Sequence, residues 1–247
     1  MDDGGDELRL KTVDAPDILI DELIIVGRVT LPEYLIPIRQ TPLPSNFSSM
    51  CQHQSFLYLG RRDGVDKLSL TGSLTGFITF TGSAESISVR NDRMYVLTFV
   101  YPQAVMMVYE LETGRLYTRW ELLPDSTSES SCYCFVDDMI IYPDRMNKRL
   151  AVYLDYGRLI KYIFPPRFQN CRWRGIKVCP GGGSSVLISD KNVSIISKLD
   201  VETGDVLWMC SEIVQPLLIR YYAEGYVLVP RVENNQTKLQ ILDVNTG

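Results

Sequence analysis

Lys198-Leu-Asp-Val-Glu-Thr-Gly204 is one of a set of near-copies down the chain. Val108-Tyr-Glu-Leu-Glu-Thr-Gly114, Val152-Tyr-Leu-Asp-Tyr-Gly157 and Ile241-Leu-Asp-Val-Asn-Thr-Gly247 share its plan, and Lys67-Leu-Ser-Leu-Thr-Gly72 is a fainter version. The closing glycines recur at intervals of 42 to 47 residues. A period of that length marks a repeated supersecondary unit, and in a strand-rich chain it implies a β-propeller with four strands per blade. The expected fold class is therefore all-β.

Around each copy the apolar runs fall where four short strands are needed. The repeat containing Gly114 reads as strands at Ile87-Ser-Val89, Met94 to Val100, Ala104 to Leu111 and Arg115 to Leu122, with a turn at Asn91-Asp-Arg93. The next predicts Tyr133 to Val136, Met139 to Tyr142, Arg149 to Leu154 and Arg158 to Phe164. Gly175 to Cys179, Ser185 to Ser189, Ile195 to Val201 and Asp205 to Met209 follow, then Leu217 to Tyr221, Gly225 to Pro230 and Lys238 to Val244. The recurring Gly falls at the turn between third and fourth strands, where a tight hairpin needs positive φ. Ser211 to Tyr221 alone reads as briefly helical.

The last repeat stops at its turn glycine and lacks an outer strand. Gly5-Asp-Glu-Leu-Arg-Leu-Lys-Thr12 resembles the outer strands Gly114-Arg-Leu-Tyr-Thr-Arg-Trp120 and Gly157-Arg-Leu-Ile-Lys-Tyr162, so an N-terminal strand at 5–12 is expected to complete the C-terminal blade and remove two open edges. A degenerate blade from about Ile18 to Ser45, rich in proline, and one from Met50 to Phe80 bring the count to six four-stranded blades, against five or seven, in a single domain over 1–247.

Composition narrows the chemistry. The chain carries a formal charge of −5 and one histidine, His53, so metal and triad chemistry are poorly supplied, and no cofactor or metal is expected. Its six cysteines are scattered through strand-like segments and read as small buried residues of a reducing compartment; Cys132-Tyr-Cys134 lacks zinc spacing. No apolar run approaches the roughly 20 residues of a membrane span, and the acidic start lacks a signal-peptide pattern, so a cytoplasmic protein is expected. Gly181-Gly-Gly183 precedes a strand rather than a helix, which makes it a turn and not a phosphate cradle.

Tyr142-Pro-Asp-Arg-Met-Asn-Lys-Arg-Leu-Ala-Val-Tyr-Leu-Asp-Tyr-Gly157 resembles the NHL repeat, with Asp144, Asn147, Arg149, Val152 and Gly157 at matching positions. Ser189-Asp190 through Gly204 matches in part, keeping Asp190, Asn192, Ile196 and Gly204. This resemblance implies a propeller like the C-terminal domain of tripartite-motif ubiquitin ligases, which selects a protein substrate or binds RNA while a RING domain outside the propeller transfers ubiquitin. The 200–208 stretch also looks like the quinoprotein-type repeat.

In a propeller the turns between second and third strands share one face, the top, with the links from one blade to the next. The top then holds Arg61, Arg62, Arg145, Lys148, Arg149, Arg167, Arg172, Arg174, Lys191 and Arg231, and the bottom turns hold Asp92, Asp138, Glu202 and Asp205. The richest segment is Pro165-Pro-Arg-Phe-Gln-Asn-Cys-Arg-Trp-Arg174, where Arg and aromatic residues interleave as in interaction hot spots and single-strand nucleic-acid sites. The candidate site is thus Arg61, Arg62, Arg145, Arg149, Arg167, Arg172, Trp173 and Arg174. Each has a plainer reading: Arg61-Arg62 as an exposed hairpin tip, Asp144, Asn147 and Arg149 as a network that holds a turn, and Trp173 as packing between blades. The favoured expectation is a non-catalytic module that recruits a protein partner through this face, as the substrate-recognition domain of a ubiquitin ligase. RNA binding is the alternative, against which the net negative charge weighs. A quinoprotein- or lyase-type enzyme ranks last.

Overall fold

Nineteen strands fold as consecutive antiparallel meanders in the computed structural model of the chain, which describes residues 47–69, 72–100, 103–122, 132–168, 176–190, 194–211, 220–223, 226–233 and 236–245. The first sheet holds β1 (Ser49–His53), β2 (Phe56–Arg61), β3 (Gly64–Ser69) and β4 (Leu74–Thr79). The second holds β5 (Ser83–Arg90), β6 (Arg93–Val100), β7 (Gln103–Glu110) and β8 (Leu116–Glu121). The third holds β9 (Cys134–Val136), β10 (Met139–Asp144), β11 (Arg149–Leu154) and β12 (Leu159–Ile163). The fourth holds β13 (Ile176–Pro180), β14 (Ser185–Asp190), β15 (Ile195–Asp200) and β16 (Val206–Cys210). The fifth shows β17 (Arg220–Ala223), β18 (Tyr226–Glu233) and β19 (Gln236–Asp243).

Each sheet is one blade of a β-propeller. First strands meet first strands across blade boundaries: β1 packs against β5, β9 against β13, and β13 against β17. The expected strands fall within a few residues of the observed ones. Five described sheets are consistent with six blades once the expected first blade at 18–45 is added; that blade and the expected strand at 5–12 lie outside the described residues. The helical reading of 211–221 fails at its end, because Arg220 and Tyr221 are paired in β17 with Leu228 and Val227, where β-branched and aromatic neighbours favour strand; 212–219 lie outside the described residues.

The core explains why the middle strands read as continuous apolar runs. Successive side chains on a strand point to opposite faces, and here each face meets a neighbouring blade. Along β11, Leu150 and Val152 enter the cluster shared with the fourth blade, whereas Ala151 and Tyr153 enter the cluster shared with the second. Val186 and Ile188 on β14 join the third blade, and Leu187 joins the fifth. Both faces are buried, so alternation gives way to unbroken hydrophobicity. The Tyr133 hydroxyl stitches two blades by donating to the Tyr95 carbonyl at 2.8 Å, and it lies 2.5 Å from Ser88 Oγ. Burial holds that phenol far above its ordinary range, so it remains a donor.

The repeated phrase builds the turn between third and fourth strands. In the fourth blade, Asp200 Oδ1 accepts from the Glu202 and Thr203 amides at 2.8 and 2.7 Å, and the Gly204 amide donates to the Asp200 carbonyl. Gly72, Gly114, Gly157 and Gly204 all have positive φ there, between 67° and 95°. The same turns make the inter-blade contact at the rim. Trp120 lies directly on Gly157, Ile163 reaches Gly204, Phe77 reaches Gly114, and the Trp208 indole donates to the Val244 carbonyl at 2.7 Å. Each outer strand thus covers the turn of the blade that follows.

Candidate functional site

Turn geometry decides what the top-face arginines can do. Arg61 ends β2, and Asp66 sits diagonally across the hairpin on β3; the guanidinium donates to Asp66 at 3.0 Å and also pairs with Asp63. The Asp66 carboxylate, with Asp63 assisting, fixes the positive charge and raises the Arg61 pKa further. Arg62 is exposed and has no ion pair among the described residues. In the third blade, Asp144 is 1% exposed and accepts from the Asn147 amide and side chain at 2.9 to 3.2 Å and from Arg149 Nε at 2.7 Å. Arg149 also lies 3.4 Å above the Tyr162 ring. Arg145, in the same turn, is 7% exposed, which leaves it no surface to offer a ligand.

The Asp144, Asn147 and Arg149 set therefore holds a turn, and Lys148 takes the left-handed φ of 51° that this turn requires. Of the arginines at 165–174, Arg167 falls in a 3-10 turn, Pro166–Phe168, whose Phe168 is buried under the third and fourth blades. The Arg167 side chain, Arg172, Trp173 and Arg174 lie outside the described residues. The structure brings Arg145 and Arg149 into one turn and leaves Arg61 and Arg62 in another. On the opposite face, Asp92, Asp138, Glu202 and Asp205 occupy bottom turns as expected, and Asp138 pairs with Arg90 at 2.9 Å.

Trp120 and Trp208 are packing residues at the rim. Of the described cysteines, Cys51, Cys132, Cys134, Cys179 and Cys210 are free thiols, and burial pushes the Cys134 thiol well up, away from reactivity. Among the described residues no helix is long and apolar enough to cross a membrane.

One surface the sequence reading passed over lies at the rim between the first two described blades. A hollow of about 560 Å³ is lined by Phe77, Phe80, Val100, Met107, Leu116 and Arg119, and a second of about 420 Å³ continues from Val100, Met107 and Arg119 to Gln103 and Glu121. Met106 and Met107 divide as neighbours on a strand must: Met106 is fully buried and Met107 floors the hollow. The sequence signal was present in Gly76-Phe77, which puts a smaller ring at the rim than the Trp of the second and fourth blades.

No family model and no curated protein matches the chain in sequence. Solved structures match in fold. A protein of unknown function from Bacteroides caccae superimposes with a TM-score of 0.60 at 9% identity, over 85% of this chain and 83% of its own. A chain of a mitotic checkpoint complex gives 0.57 at 8% identity, over 88% and 72%. KlHsv2 with its loop 6CD replaced by a Gly-Ser linker gives 0.54 at 10%, over 82% and 64%. At such identities the likeness is one of fold. The class defined is a β-propeller.

Proposed function

We propose that the chain is a non-catalytic interaction propeller that recruits a protein partner through its top-face loops, and that it serves as the substrate-recognition domain of a ubiquitin ligase whose transfer chemistry lies outside it. The observation that carries a protein over an RNA partner is the state of the top-face arginines. Arg61 is matched by Asp63 and Asp66, Arg149 by Asp144, and Arg145 is buried, so of the described candidates Arg62 alone offers an unpaired charge. Nucleic-acid affinity rests on several cations neutralising phosphates together, and Arg61, Arg145 and Arg149 are committed within the protein. The aromatic and basic composition of the 165–174 segment suits a protein contact centred on a few anchors.

The test is a titration of the purified chain with a random single-stranded RNA pool at low and at physiological salt, beside a variant with Arg172, Trp173 and Arg174 changed to Ala. RNA binding that falls steeply with salt and vanishes in the variant would replace this reading with the RNA one. Absence of RNA binding at low salt, with a partner protein that the same variant loses, supports recruitment.

A further inference from the structure

The hollow at the rim of the first two described blades is an unfinished part of the core. The cluster between these blades includes Tyr58, Ile78, Val96 and Tyr109, with Phe77, Phe80 and Met107 packed against it. Between the second and third blades the indole of Trp120 closes the corresponding edge on Gly157; between the fourth and fifth Trp208 closes it on Val244. Phe77 reaches Gly114 but leaves the space outside it open.

The opening has a direction and a charge. Met107 pairs with Arg119, Val105 with Glu121 and Tyr109 with Leu116, so these side chains share the face of the second blade that looks at the first. The hollow follows β8 from Gly114 at the bottom to Gln103 and Glu121 at the top, a strand length of roughly 17 to 20 Å. The outer edge of β8 has no neighbouring strand among the described residues. Leu116 is 49% exposed and Val100 40%. Arg119 is exposed and has neither ion pair nor ring contact among the described residues, whereas Arg61, Arg90, Arg93 and Arg149 each have one.

We propose that this rim groove docks an extended segment of a partner protein bearing two apolar side chains at alternate positions and a carboxylate at the next alternate position. The apolar pair fills the space over Phe77, Phe80, Met107 and Leu116, and the carboxylate pairs with Arg119. Glu121, two residues further along the same face, repels a second acid at the top end and favours a cation there. A hollow of this volume holds anchors of that size, and a charge-assisted bond to a guanidinium sets register. The inference rests on the interaction-module reading but places the contact on the rim, away from Arg62 and the 165–174 loop.

The experiment is selection from a displayed library of random linear peptides on the intact chain, followed by affinity measurement with synthetic peptides. The expected result is enrichment of two apolar residues at alternate positions with Asp or Glu at the next alternate position. Changing Arg119→Glu or Leu116→Asp weakens those peptides by about tenfold or more, Arg119→Gln by less, and Arg119→Glu selects Lys or Arg in place of the acid. Arg62→Ala leaves them unchanged. Both rim residues are exposed, so thermal melts of the variants match the parent. Failure to enrich any motif, or a motif insensitive to Arg119→Glu and Leu116→Asp, overturns the proposal. A dimer that Arg119→Glu dissolves would assign the groove to a second copy and equally overturn the partner. RNA binding at the top with rim peptides still selected would sink the top-face reading alone.

Discussion

Gly157 and Gly72 share a backbone conformation and differ in surroundings, which allows the rim contact to be weighed. Their φ angles are 94° and 95°, yet a Cβ at Gly157 would stand 2.5 to 3.0 Å from three atoms of the Trp120 indole, whereas one at Gly72 meets nothing within 4 Å. A Cβ in left-handed backbone costs roughly 1–2 kcal/mol at either site. Forcing a packed side chain aside adds about 1–3 kcal/mol at Gly157 only. Gly72→Ala should therefore lose about 1–2 kcal/mol and Gly157→Ala about 2–5. With roughly 2–4 °C of melting temperature per kcal/mol in a chain of this size, a difference near 2 kcal/mol separates the two variants by about 4–8 °C. Urea and thermal unfolding followed by far-ultraviolet circular dichroism measure both. Gly204→Ala, whose Cβ would stand 3.4 Å from Ile163, should fall near Gly72→Ala. A Trp120→Ala, Gly157→Ala cycle should show coupling of the same 1–3 kcal/mol, because removing the indole removes the clash. Equal costs at Gly157 and Gly72, or strict additivity in the cycle, would refute the assignment of Trp120 as the cover of that turn.

Asp144→Ala should destabilise by about 2–4 kcal/mol, since it strands Arg149 and the Asn147 amide around a buried site, with Asp144→Asn milder; urea midpoints decide. Hydrogen bonds from the Thr203 and Glu202 amides hold the Asp200 carboxyl below its ordinary value. The charged form is favoured by folding, so its contribution is complete above the ordinary Asp pKa of about 4 and is lost as pH falls through the depressed value. The stability gap between the parent and Asp200→Asn should accordingly shrink below about pH 4, and a gap that widens there would contradict the turn geometry.

Much of the ring was legible because its causes are local. Turn glycines need positive φ wherever they occur, and the second and third strands are buried on both faces, so Met139–Asp144 and Arg149–Leu154 could be read from composition alone. The top-face charges were harder. That Arg61 meets Asp66 follows from hairpin register, which sets Arg61 opposite Gly64 and so puts Asp66, two residues on, diagonally across on the same face. Burial of Arg145 depends on how its turn folds back, and spacing carries no trace of that. The rim groove was invisible for a third reason: Gly76-Phe77 shows a smaller ring, but the space beside it is set by the separation of two blades, a long-range quantity.

The cover that each outer strand lays on the following turn puts the packing unit out of phase with the hydrogen-bonded sheet. A stretch from one turn glycine to the next holds a covering side chain and the turn beneath it together, Trp120 with Gly157 or Ile163 with Gly204, and it runs from the outer strand of one blade to the third strand of its successor. A blade excised along its sheet would leave Trp120 without its Gly157 or Gly204 without its Ile163. A blade can therefore be exchanged only where the incoming turn suits the side chain already waiting above it.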